Sequence, residues 1–138
     1  MALKLMYITN KTEIAQIAEV AGVDRIFVDM EVIGKSNRQG GMDTVQSSHT
    51  FTDIKNIKKS IEKAELLVRC NPIHKDVIGY LDTKDEIDQI IDNGADIVML
   101  PYFKTKEEVE FFINCVNKRK KQCYYLKHQN QFLLLTKY

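Results

Sequence analysis

The sequence has no run of apolar residues near the ~18 that a membrane-spanning helix needs, which excludes a helical membrane span. Its first residues, MALKLMYITNKTE, turn polar too early for the apolar core of a secretory signal, so the expected compartment is the cytoplasm. Cysteine is scarce: Cys70, Cys115 and Cys123 are odd in number and widely spaced. That arrangement supports neither a disulfide framework nor a zinc site, and buried thiols are the expectation. No P-loop, GxGxxG, HExxH or CxxC motif is present. Acidic residues are absent from the last 22 positions.

What is there is a chain of 138 residues, 44% hydrophobic and 28% charged, at formal net charge +1. High apolar content at near-zero net charge excludes a disordered chain and provides for one buried core. The charge is uneven, however. Residues 1–116 hold all 19 acids and 14 of the 20 Lys and Arg, a formal −5, whereas residues 117–138 hold six basic residues and no acid, a formal +6. A basic tail on an acidic body is a pattern of nucleic-acid or membrane-surface contact.

The body alternates between two hydrophobic periods. Short apolar runs at 4–8 (KLMYI), 25–29 (RIFVD), 65–70 (ELLVRC) and 96–100 (DIVML) fit strands covered on both faces. Each precedes a segment of helical period, marked by Ile14, Ile17, Ala18 and Ala21, then by Ile54, Ile57, Ile61 and Ala64. The third and fourth helices open with Thr83-Lys84-Asp85-Glu86 and Thr105-Lys106-Glu107-Glu108, both capping-box patterns. Ile87, Ile90 and Ile91 face inward in the third, and Val109, Phe112, Ile113 and Val116 in the fourth. Four strand–helix repeats predict parallel βα units joined by right-handed crossovers. A weak repeat relates residues 21–29 to 93–101, where a glycine ends a helix and a short turn launches a strand. Shared turn chemistry accounts for most of it.

Two long polar segments, 32–50 and 71–82, leave the C-terminal ends of strands, the side on which parallel α/β folds keep their sites. Asp29 and Glu31 flank one such end, and a period of two points both carboxylates to one side. They could bind a hydrated metal or orient a base, or instead cap the loop or pair with a cation. Arg69, beside Leu66-Leu67-Val68, needs a partner, which either acid could supply; its planar fork equally suits a substrate carboxylate. Asp92 reads as a surface residue closing the third helix. His74 and His128 carry no informative spacing, whereas His49 is the body histidine within reach of Asp29 and Glu31.

These residues also carry a resemblance. The segment Gly22-Val23-Asp24-Arg25-Ile26-Phe27-Val28-Asp29-Met30-Glu31 is similar to the aG-x-D-hydrophobic-D-x-E segment of the HpcH/HpaI aldolase and citrate lyase family. Val68-Arg69-Cys70-Asn71-Pro72 resembles its V-R-x-N strand, residues 90–101 (IIDNGADIVMLP) its hydrophobic-D-x-G-A … P segment, and Thr105-Lys106-Glu107-Glu108 its T-x-E-E. Order and spacing agree over residues 3–117.

The resemblance implies a phosphoenolpyruvate/pyruvate-type TIM barrel, present as about four βα units over residues 1–121, a half-barrel. It implies a carbon–carbon lyase for a small-molecule 2-oxo acid or a citryl- or malyl-type acyl ester, with divalent Mg2+ or Mn2+ stabilising the enolate. Arg69 would grip the carboxylate or enolate oxygen, Asp29 and Glu31 would organise the metal's water shell, and Asp92 would match a family acid. The aldolase branch places a histidine base directly after D-x-E, where this chain has Val32, so base chemistry needs another group or this branch works differently; His49 is carried as a catalytic candidate. The family's direct metal ligands come from the fifth and sixth strands, so they are expected to be missing.

Residues 122–138 do not read as family sequence. Back-translated and read one base upstream, codons from Gln122 to His128 permit a Leu-Leu-Leu-Glu-Thr-like strand, so an out-of-frame tail is the hypothesis; a native strand or short helix at 131–135 is its alternative. A half-barrel with open edges and exposed lining residues is expected to self-associate and to have weak or no lyase activity. A complete flavodoxin-like binding or signalling module is the alternative fold, although Thr9-Asn10-Lys11 stands where receivers carry an acid pair. A nucleic-acid binder using residues 118–121 is the other alternative; with the tail read as out of frame, nucleic acid is not the expected partner.

Overall fold

The structure, a computed structural model, describes residues 3–34, 48–128 and 131–137, with side chains up to residue 124. Its elements are β1 (Met6–Ile8), α1 (Thr12–Val20), β2 (Arg25–Asp29), α2 (Phe51–Ser60), β3 (Glu65–Arg69), α3 (Thr83–Asp92), β4 (Ile97–Leu100), α4 (Lys106–Val116), β5 (Lys121–His128) and β6 (Gln131–Lys137). They form one sheet in the order β1-β2-β3-β4-β5-β6. The first five strands are parallel and β6 returns antiparallel on β5. Four βα units in sequence order are the arrangement that the alternating periods predict. Among the described residues, no helix is long and apolar enough to cross a membrane.

Period two sorts each strand into a helix-facing and an inward-facing row. Ile26, Val28, Leu66, Val68, Val98 and Leu100 face the helices and are fully buried with Ile54, Ile57, Ile87, Ile90, Phe112 and Val116. Tyr124 closes this layer, its ring edge-on to Phe112 at 5.7 Å and to Phe103 at 6.3 Å. On the other face, Leu67, Ile97, Met99 and Cys123 form a second buried cluster against Phe27. Among the described side chains, Leu67, Ile97, Met99 and Cys123 therefore lack the exposure expected of half-barrel lining residues, because inward side chains of neighbouring twisted strands bury one another.

Exposure is instead found at β1. All three of its residues are exposed, with Met6 at 40%, Tyr7 at 49% and Ile8 at 45%. Covering on both faces, expected of this run, needs neighbours on both sides, and among the described residues β1 pairs with β2 alone. Helix α1 follows suit: Ala15 and Ala18 are buried, but Ile17 and Ala21 are exposed. Ile113 of α4 likewise faces solvent.

The capping box at Thr105 forms as expected, with the Glu108 amide donating to Thr105 Oγ1 at 3.2 Å and the Thr105 amide to Glu108 Oε2 at 3.4 Å. The one expected at Thr83 does not. Asp82 takes the N-cap position of α3 and makes no side-chain cap. Thr83 Oγ1 accepts from the His74 amide and donates to the His74 carbonyl, while Glu86 turns inward. A further box, not expected from the sequence, caps α2 between Thr50 and Asp53. The repeat at the ends of α1 and α3 is confirmed in backbone terms, with Gly22 at φ +96° and Gly94 at φ +113°. Any side chain at Gly94 would also meet Lys58 Cγ at 2.7 Å.

Candidate active site

The C-terminal ends of β2 and β3 place Asp29 directly beside Arg69 in register. The guanidinium grips Asp29 with both prongs, Nε donating to Oδ1 at 2.9 Å and Nη2 to Oδ2 at 2.7 Å. Nε also lies 3.2 Å from Glu31 Oε2. Asp29 and Glu31 are only 1% and 2% exposed, so this is a buried ion-pair cluster. Arg69 CZ lies 5.4 Å from the Phe27 ring centroid, which gives the cation a π face below as well as acids beside it. Two of its five N–H donors are spent on Asp29, leaving those of Nη1 and one of Nη2 for a further acceptor. Same-side carboxylates, expected from the period of the strands, and an acid partner for Arg69, expected of a cation beside an apolar run, are what the structure contains.

The turn that carries the acids is held amide by amide. Asp29 N–H donates to His49 Nδ1 at 2.8 Å, Met30 N–H to the Arg69 carbonyl at 3.0 Å, and Glu31 N–H to Asp29 Oδ1 at 3.1 Å. The Val32 and Ile33 amides both donate to Asn71 Oδ1 at 2.8 Å. Five consecutive backbone donors are thus satisfied, three of them by side chains from distant segments. His49 is thereby brought to Asp29, as its place in the sequence suggests. A ring nitrogen that accepts carries no proton, so the neutral imidazole is the Nε2–H tautomer.

Asn71 is itself held by Glu86 of α3. Its Nδ2 donates to Glu86 Oε1 at 2.7 Å and its backbone N–H to the same oxygen at 3.1 Å. Burial pushes the Glu86 carboxyl above its ordinary range, and the hydrogen bonds from Asn71 oppose that rise. Cys70, next to Asn71, is fully buried; desolvation and then Glu86 hold its thiol well above its ordinary value, the behaviour of an inert core thiol. Behind the acid turn, Met30, Val32, His49, Asn71, Tyr80 and Glu86 help line a cavity of about 210 Å³.

Other candidates lie elsewhere. Asp92 is exposed at the C-terminal end of α3, by a surface cleft with Lys84, Asp88 and Arg119. In a βα unit that end of a helix lies by the strand N-termini, so Asp92 is not brought to Arg69. His74 bridges the 71–82 loop, its Nδ1 2.7 Å from the Pro72 carbonyl and its Nε2 2.6 Å from that of Leu81. The His128 side chain and residues 35–47 of the first long loop lie outside the described residues. Asn71 and Glu86 are the residues that sequence reasoning missed. Asn71 stands in the V-R-x-N match without a role, and Glu86 reads as a helix cap.

A divalent ion finds hard oxygen donors in Asp29 and Glu31, but both carboxylates are turned onto Arg69. Among the described residues, no three His, Cys, Asp or Glu side chains converge as a ligand set. These residues fit such an ion only through intervening water, not by direct ligation.

The family model for HpcH/HpaI aldolase/citrate lyase matches residues 4–135, a span that includes β5 and most of β6. An HpcH/HpaI aldolase from Desulfitobacterium hafniense DCB-2 superposes with a TM-score of 0.52 at 18% identity, over 77% of this chain and 34% of that one. Tryptophan synthase from M. tuberculosis in its aminoacrylate-bound form gives 0.57 at 14% identity, over 89% and 54%. Phosphonopyruvate hydrolase complexed with oxalate and Mg++ gives 0.50 at 15%, over 83% and 41%. At such identities the superpositions speak for fold, and the chain spans about a third to a half of each structure. Among curated proteins, none matches. The matched span and the shared fold together place the chain in the HpcH/HpaI aldolase/citrate lyase family.

Proposed function

We propose that this chain carries the anion-holding part of a carbon–carbon lyase site for a 2-oxo acid of pyruvate or oxaloacetate type, or for a citryl- or malyl-type ester. The observation that carries the reading is Arg69: a half-buried cation at the strand ends, gripped on one side by the buried Asp29 and Glu31, with Nη1 unspent. A planar carboxylate or enolate oxygen is the acceptor that such a fork suits. The acids fix the guanidinium before the ligand arrives, so little ordering remains on binding. As negative charge grows on the enolate, the fixed cation stabilises it without moving. His49, with its proton on Nε2, can give a hydrogen bond from that nitrogen, while its Nδ1 lone pair is taken by the Asp29 amide.

Family membership supports a divalent metal, Mg2+ or Mn2+, whose chemistry is polarisation of the oxo group. Its direct ligands would have to come from outside the described residues, so weak lyase activity or none is expected of this chain. The bare apolar edge of β1 supports self-association of copies.

Oxalate, a planar mimic of the 2-oxo acid enolate, tests the reading by calorimetric titration. The chain binds it and Arg69→Ala does not. Absence of binding, or equal binding by the variant, refutes the proposal.

A further inference from the structure

We propose that Asn71 and Glu86 form a strut that aims Glu31 at Arg69, so that both are positioning residues for the anion site; the inference rests on the function proposed above. Position 32 is valine, whose side chain cannot hold the turn by hydrogen bonding. The Asn71 amide does so instead. One oxygen receives both Val32 and Ile33 N–H groups, which fixes the two peptide planes directly after Glu31.

An asparagine side chain has two faces to its amide, and a lone Asn71 could turn its NH2 group toward those donors. Glu86 prevents this. At 3% exposure its Oε1 receives both the Asn71 Nδ2–H and the Asn71 backbone N–H, so the amide oxygen has one available direction. Glu86 is buried at a helix position where a capping role would have kept it at the surface. It contacts neither Arg69 nor Asp29 through any hydrogen bond or ion pair described above, so it acts on the site through Asn71. The chain of contacts runs from α3, through the end of β3, to the turn after β2.

A swap of donor and acceptor tests the strut. Asn71→Asp keeps an oxygen for the Val32 and Ile33 amides but sets a second carboxylate against Glu86. It is expected to weaken oxalate binding about 10- to 100-fold, the usual cost of losing a residue that orients a ligand. Amide hydrogen exchange at Val32 and Ile33 quickens at the same time. The double variant Asn71→Asp with Glu86→Gln restores the pairing with its direction reversed, the introduced amide on α3 donating to the introduced carboxylate after β3, and should recover most of both. Destabilisation of the fold by each substitution would not produce such mutual rescue. If Asn71→Asp leaves affinity and exchange unchanged, or the double variant is no better than the single, the strut is refuted. Should the unaltered chain bind no oxalate, the function proposal fails, and exchange at Val32 and Ile33 with its rescue still decides the strut.

Discussion

Ion pairs occupy both ends of the parallel strands, and they differ in kind. At the N-terminal end Lys121 meets Glu65 at 2.6 Å and Lys58 meets Asp96 at 2.8 Å, all four side chains a quarter or more exposed. At the C-terminal end Asp29 and Glu31 are almost fully buried around Arg69. Exposed pairs contribute about 0–1 kcal/mol, and water can replace either partner. Buried ones cost desolvation that their attraction barely repays, so stability alone is a poor reason to keep them. Arg25, 6% exposed and 3.7 Å from Glu65, is a buried charge at the N-terminal end too. What sets the C-terminal rim apart among the described residues is two buried acids on a guanidinium that keeps donors for a further acceptor, the feature on which the proposed site rests.

The largest expected effect breaks the buried side of this contrast. Arg69→Leu removes the guanidinium from beside two buried carboxylates and should cost about 3–5 kcal/mol in urea unfolding, whereas Lys121→Ala should cost no more than about 1 kcal/mol. Equal costs would remove the distinction between the two ends.

A pH series sharpens it. Burial raises the Glu86 carboxyl above its ordinary 4.5, so the folded chain binds that proton more tightly than the unfolded chain does. The group's contribution is present at low pH and falls as pH rises through the raised value. Glu86→Gln removes this dependence, so unfolding midpoints of variant and wild type should shift in the variant's favour from pH 4.5 toward neutrality. At the other end of the molecule Asp88 has the opposite sign: hydrogen bonds from Lys84 and then Arg119 lower its carboxyl, and stability is lost as pH falls through the lowered value. Water reaches Asp88 and screens it, so the effect there is smaller.

Much of the rim is legible in the sequence because it follows from local period. Asp29 and Glu31 share a side because strands alternate, and Arg69 needs an acid because a buried charge needs a partner. The strand–helix order over β2 to β4 follows from apolar runs that the fold does cover. What was not legible depends on neighbours. KLMYI reads like ELLVRC, yet β1 is bare and β3 buried, since only β3 has a strand on each side. Thr83-Lys84-Asp85-Glu86 is a sound capping box by local rules, overridden because Asn71, distant in sequence, offers Glu86 two donors in the interior. Asp92 matches a family pattern but sits at the wrong end of its helix to reach Arg69. For residues 122–138 the two readings diverge still: charge sets them apart, the family match runs to residue 135, and the backbone pairs β5 parallel to β4. The nucleotide sequence beyond codon 121 decides between a native and an out-of-frame tail.

The most direct test is an NMR spectrum of the Arg69 guanidinium as oxalate is added. The Nη1 hydrogens are expected to shift and slow in rotation, while Nε–H, already bound to Asp29, barely moves. A shift confined to Nε–H, or no change at Nη1 as oxalate binds, would contradict the claim that the two acids hold this cation ready for a ligand.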